Sequence, residues 1–126
     1  MKTLNDVKKS LINLGFNQGF DLTDPKISKD IVHEQGQMRW FKDYTSEGDW
    51  DNEFKEDINN FLHYMDEYQI AINENNFKIA SDALCMAMIY AGNLSLNFDA
   101  IKTDISTLLR ADYKTNDFPW PLLNNE

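Results

Sequence analysis

The chain carries two imidazoles, His33 and His63, and one thiol, Cys85. Nucleophilic or metal chemistry would have to be built around these three side chains and the carboxylates near them. His33-Glu34 opens like a zinc-protease helix, whose second histidine stands four residues after the first, but that place is Gln37. Asp30 and His33 have the i, i+3 spacing of a helical di-metal ligand pair, a site that needs a second copy and glutamates on facing helices. His63 and Glu67 stand at i, i+4 and offer two ligands where a zinc site needs three or four. A solvated helix face accounts for that pair. Asp49, Asp51 and Glu53 alternate like the start of a calcium loop, yet Phe54 occupies the glycine position and Asn60 the final glutamate position. Cys85 lies in an apolar helical segment, where a thiol is expected to be a buried, inert packing residue. The pattern therefore predicts no enzyme, no metal and no cofactor.

Charge is more informative than chemistry. The chain of 126 residues has a net charge of −9, from 21 acidic and 12 basic residues. Residues Asp43 to Glu74 hold ten acids (Asp43, Glu47, Asp49, Asp51, Glu53, Glu56, Asp57, Asp66, Glu67, Glu74) and one base, Lys55. The rest of the chain is neutral overall, so the whole excess belongs to one segment. Such a concentration repels nucleic acid and anionic membranes and attracts basic proteins.

The elements that must present this charge follow from hydrophobic spacing. Leu4, Val7, Leu11 and Leu14 fall at helical intervals, with Gly15 as a stop, and Phe16 to Thr23 reads as a loop. Asp24 and Pro25 form an N-cap and first position for a second helix, which carries Ile27, Ile31 and Val32 and ends near His33 or Glu34. Residues 37–44 read equally as more helix or as a short extended piece. Trp50, Phe54, Ile58, Phe61, Met65, Tyr68 and Ile72 step by three and four and form one buried stripe of a long third helix. Glu53, Glu56, Glu67 and Glu74 line the opposite face, with Asn60 and His63 between them. Asn73 to Asn76 makes a polar break.

A fourth helix, Phe77 to about Ala91, is apolar nearly all round, which predicts a central helix packed on several sides. Alanines 80, 83, 87 and 91 give it a small-residue stripe. Gly92 and Asn93 are expected to end it, and Asn97 to cap a fifth helix bearing Phe98, Ile101, Ile105 and Leu108. The segment from Lys114 to Glu126 includes Phe118-Pro119-Trp120-Pro121, an extended, polyproline-like tail. The expected architecture is all-α: a single domain, 1–126, of about five helices with an extended tail.

One cysteine excludes an internal disulfide framework, and the N-terminal residues lack the apolar run of a signal peptide. The longest apolar run, Ala83 to Ala91, falls well short of a membrane span of about 20 residues. The expected location is the cytoplasm. Fourteen asparagines beside frequent Lys and Ile fit the codon bias of an AT-rich bacterium or its phage.

Small size, cytosolic character, a concentrated acidic face and no cofactor motif make the chain similar to bacterial immunity proteins. The likeness lies in general character and carries over no residue roles. It implies non-catalytic neutralisation of a basic protein, such as a toxin domain with nuclease activity. The expected partner-binding residues are Asp49, Asp51, Glu53, Glu56, Asn60, His63, Tyr64, Glu67 and Glu74. Trp50 is also placed near this surface but is assigned to the core stripe. Two other readings use the same residues or leave them idle: a phage inhibitor that mimics nucleic acid, and a small adaptor or regulatory subunit insensitive to salt.

Overall fold

The computed structural model describes residues 1–24 and 40–109. Their regular structure is entirely helical and comprises α1 (Leu4–Asn17), α2 (Trp50–Asn73) and α3 (Phe77–Leu109). The predicted second helix, residues 37–39 and the proline-containing tail lie outside the described residues. Residues 40–44 are neither helix nor strand. The chain divides into two compact units, Met1–Trp50 with Asp99–Glu126, and Asp51–Phe98.

In the first unit α1 begins where the sequence dictates. The Thr3 hydroxyl accepts the Asp6 N–H, and the Asp6 carboxylate accepts the N–H groups of Lys2 and Thr3, which satisfies orphan donors of the first turn. These bonds, the Lys2 N–H first, hold the Asp6 carboxyl below its ordinary pKa. Gly15 is not the stop that its position in the sequence suggests. The helix runs on to Asn17, and the left-handed residue that ends it is Gly19, at φ 93°. Gly15 has a packing role instead, because an added Cβ would sit 3.0 Å from the Leu22 side chain.

Around α1 lies a core of Leu11, Phe20, Leu22, Trp40, Tyr44, Trp50, Ile101 and Leu108, with Leu4, Val7, Ile12 and Leu14 packed against it. Trp50 takes the core place predicted for it, stacked edge-on with Tyr44 at 5.3 Å and donating from Nε1 to the Asp43 carbonyl at 3.0 Å. Burying side chains of this size contributes roughly 1.5–3 kcal/mol each. The buried Asp104 ties the segment 40–44 to α3. Its carboxylate accepts the N–H of Phe41 (2.8 Å), the N–H of Lys42 (3.0 Å) and the phenol of Tyr44 (2.7 Å). Gln18 reaches the Leu108 carbonyl through Nε2 at 2.7 Å. Gly48 is required by close approach, since a Cβ there would collide with the Asp43 carbonyl.

The second unit contains α2 from Asp51 onward, a tight turn, and α3 to Phe98. The polar break works as a cap at both sides. Asn75 adopts φ 58°, the Asn76 N–H donates to the Ala71 carbonyl at 2.8 Å, and the Asn76 side chain accepts the Ile79 N–H at 3.3 Å. Ala71, Ala80, Ala83 and Ala87 are buried, and these small side chains let the two helix backbones approach closely.

Three expectations for this region are corrected. The predicted fourth and fifth helices are one helix, Phe77–Leu109, so the described residues hold three helices where the count from sequence was about five for the chain. Gly92 costs a helix interior only about 1 kcal/mol, less than the burial of Ile101 and Leu108 farther along contributes. Second, the apolar segment is not packed on several sides. Leu84, Cys85, Met88, Ile89, Ala91 and Leu96 are exposed, because within this unit one neighbouring helix covers one stripe only. Third, the stripe of α2 is half-buried beyond Trp50, at Phe54, Ile58, Phe61, Met65, Tyr68 and Ile72.

Candidate functional site

The acidic segment rides mainly on α2, where 3.6 residues per turn set charged side chains on the side away from the half-buried stripe. Glu56, Glu67 and Glu74 are exposed, as is Asp66, while Asp51 and Glu53 are half-buried. Glu74 lies one residue past the helix, in the turn, its N–H still bonded to the Ile70 carbonyl at 3.1 Å. The only lysine or arginine on the helix is Lys55, near its N-terminus. Acids in the first turn, Asp51 and Glu53, complement the helix dipole. No basic residue occupies the last turn, so the acids farther along have no such compensation from the helix itself.

His63 and Glu67 meet as their spacing predicts, Nε2 to Oε1 at 3.3 Å and well exposed, and form an ion pair when the imidazole is protonated. No third ligand joins them: among the described residues no group of three His, Cys, Asp or Glu stands close enough to hold a metal. Tyr64 is half-buried, stacked nearly parallel on Tyr90 of α3 at 5.9 Å and edge-on to His63 at 4.9 Å. It therefore supports the imidazole from the inward side of the face. Asn60 is also half-buried. Asp57, on the inward side, accepts the Asn97 Nδ2 at 3.5 Å. Asn97 thus bridges the two helices from mid-helix instead of capping a new one.

Asp49 belongs to the first unit, where it accepts the Asn5 Nδ2 at 2.9 Å. The nine expected binding residues are consequently divided, with Asp49 in the first unit and the other eight in the second.

Two polar features of the first unit escaped the sequence reading. One is Asp104, whose spacing with apolar neighbours gave no sign that a carboxylate would face inward. Burial raises its pKa, while the N–H of Phe41, the phenol of Tyr44 and the N–H of Lys42 work to lower it. The Tyr44 phenol is pushed upward by burial and by the Asp104 charge. The other is a cleft of about 860 Å³ lined by Asn5, Lys8, Lys9, Ile12 and the segment Tyr44 to Asp49, with Thr23. Lys8 donates to the carbonyls of Thr45 (2.6 Å) and Gly48 (2.5 Å), so its ammonium holds the loop. Only the folded loop reveals that role.

Cys85 is exposed on α3, which corrects the expectation of a buried core thiol.

No curated protein matches the chain. A solved structure, the crystal structure of a functionally unknown protein from Neisseria meningitidis MC58, is similar along nearly the whole length. It shares 68% identity, with a TM-score of 0.86, over 96% of this chain and 98% of that one. The family model of DUF6853, a family of unknown function, matches residues 4–122, and the chain belongs to that family.

Proposed function

We propose that the protein is a non-catalytic acidic binding protein that neutralises a basic protein partner, in the manner of an immunity protein acting on a cognate bacterial toxin. The observation that carries this reading is the row Glu56, Glu67 and Glu74, exposed on or just beyond a helix whose only base is Lys55. Like charges held on one face repel and cost stability. A basic partner relieves that repulsion and is steered to the face at long range. His63 and Asn60 add hydrogen-bonding groups between the carboxylates. The cytoplasm is the compartment in which an immunity protein of this kind would meet its target.

The test is coexpression. The product of the gene directly upstream should be toxic when expressed alone, and toxicity should be relieved when this protein is made with it. A binary complex of the two purified proteins should form at low ionic strength. Absence of both rescue and complex would set the immunity reading aside, and a tight complex insensitive to salt would favour an adaptor.

A further inference from the structure

The cleft of the first unit is closed on one side by a turn of unusual electrostatics. Asp43 to Asp49 contains three acids and no base. Within it the Gly48 N–H donates to the Thr45 carbonyl at 3.1 Å, which fixes a tight turn. The carbonyls of Thr45 and Gly48 meet at one point, and the Lys8 ammonium occupies it, 2.6 Å from the first oxygen and 2.5 Å from the second. These are short, charge-assisted hydrogen bonds. Backbone carbonyls that converge in this way take the place of a cation's hydration shell.

We infer that the Thr45–Gly48 turn is a cradle for a primary ammonium group, filled by the chain's own Lys8, and that a small free alkylammonium enters it when Lys8 is cut away. The cradle is built by contacts that do not involve its guest. Asn5, one turn before Lys8 on α1, donates to the Asp49 carboxylate at 2.9 Å and accepts the Trp50 N–H at 2.9 Å. The Asp43 carboxylate accepts the N–H and the hydroxyl of Thr45, at 2.9 and 2.6 Å. Gly48 lets the chain close on the Asp43 carbonyl, where a Cβ would collide. Removing the lysine therefore leaves a formed turn with two carbonyls facing an empty place.

Access and donor type select the guest. Lys8, Thr45 and Gly48 all line the cleft of about 860 Å³, so the place opens to solvent. Its converging donors are two neutral oxygens at hydrogen-bonding distance, which suits N–H groups. A calcium ion takes six to eight oxygens, carboxylates among them, and no metal-holding group of three His, Cys, Asp or Glu stands among the described residues. The charge on Lys8 thereby sets the order of this wall of the cleft, and with it the place of Asp49.

Hydrogen exchange at the Thr45 and Gly48 N–H groups of the full chain tests this. No partner takes part, so the outcome is independent of the binding role proposed above. In Lys8→Ala, exchange at both should quicken about tenfold or more. Propylammonium chloride, which replaces the atoms removed, should restore the native rate. Tetramethylammonium chloride carries the same charge without an N–H and should leave exchange fast. At about 0.1 M the two salts screen equally, over ~10 Å. Lys8→Met keeps a stem that fills the place of the amine, and it should exchange fast in either salt. Equal recovery of Lys8→Ala in both salts would reduce the effect to screening and overturn the proposal. Native exchange in either variant without added amine would also overturn it, as would a Lys8→Ala chain, folded or unfolded, that propylammonium does not restore.

Discussion

Asp104 is the residue on which the first unit turns. It is fully buried and satisfies two backbone N–H groups and the Tyr44 phenol at once. Asp104→Ala leaves three donors without their acceptor, and each unsatisfied buried group costs about 1–3 kcal/mol. The expected loss is about 3 kcal/mol, read from the urea midpoint. The pH dependence has a definite sign. A carboxyl whose pKa is raised on folding favours the fold fully below its ordinary value of 3.8, and that contribution disappears as pH climbs through the raised value. Removing the Tyr44 donor should sharpen the effect, because the ionised form loses one of the bonds that hold its pKa down. Tyr44→Phe is expected to cost about 1–2 kcal/mol at pH 7 and distinctly less near pH 4. Equal losses at both pH values would mean that the bond is indifferent to the charge on Asp104. None of this was legible in the sequence, where Asp104 sits among Ile101, Ile105 and Leu108 as one more acid.

At the scale of the elements, sequence spacing located α1 and α2 well and misjudged the glycines. Leu4 to Leu14 and Trp50 to Ile72 announced their helices through three- and four-residue steps, and Asn73 to Asn76 announced the turn. Gly15 and Gly92 both looked like helix stops, because a glycine after an apolar run satisfies the rule wherever it stands. Neither has the left-handed backbone that a stop requires, a conformation reserved for Gly19 among the described glycines. Their substitutions should therefore diverge. Gly15→Ala brings a methyl to within 3.0 Å of Leu22 and 3.4 Å of the Phe20 carbonyl oxygen, an overpacking expected to cost about 1–3 kcal/mol. Gly92→Ala meets nothing and should stabilise the monomer by about 0.5–1 kcal/mol. Thermal unfolding of both variants at dilute concentration checks the contrast. The exposed flank of α3 was misread for a related reason: hydrophobicity all round a helix says that it prefers burial and does not say which chain supplies the cover.

For the whole molecule, the distribution of charge was the part of the candidate site most visible in the sequence, since ten acids against one base between Asp43 and Glu74 needs no coordinates. What the sequence did not give was the allocation of those acids, with Asp49 in one unit and Asp57 bonded to Asn97. The decisive experiment uses the acids that remain exposed. Glu56, Glu67 and Glu74 lie away from the half-buried stripe, and surface changes of this kind usually move stability by less than about 0.5 kcal/mol each. Replacing all three with Lys adds two units of charge at each position and takes the net charge from −9 to −3. Folding should be unchanged or slightly improved, because Lys55 is the only lysine or arginine among the acids on α2 and the exposed His63–Glu67 pair contributes little to stability. Binding to a basic partner should weaken by several kcal/mol in total, because like charges would then meet across the interface. Salt supplies the control: between about 0.1 M and 1 M the screening length contracts from ~10 Å to ~3 Å, so association of the native protein should slow markedly. The triple variant should bind weakly at both. A well-folded variant that binds normally would reduce the acidic row to a solubilising surface, and loss of the fold would mean that these carboxylates are held by the protein's own interactions.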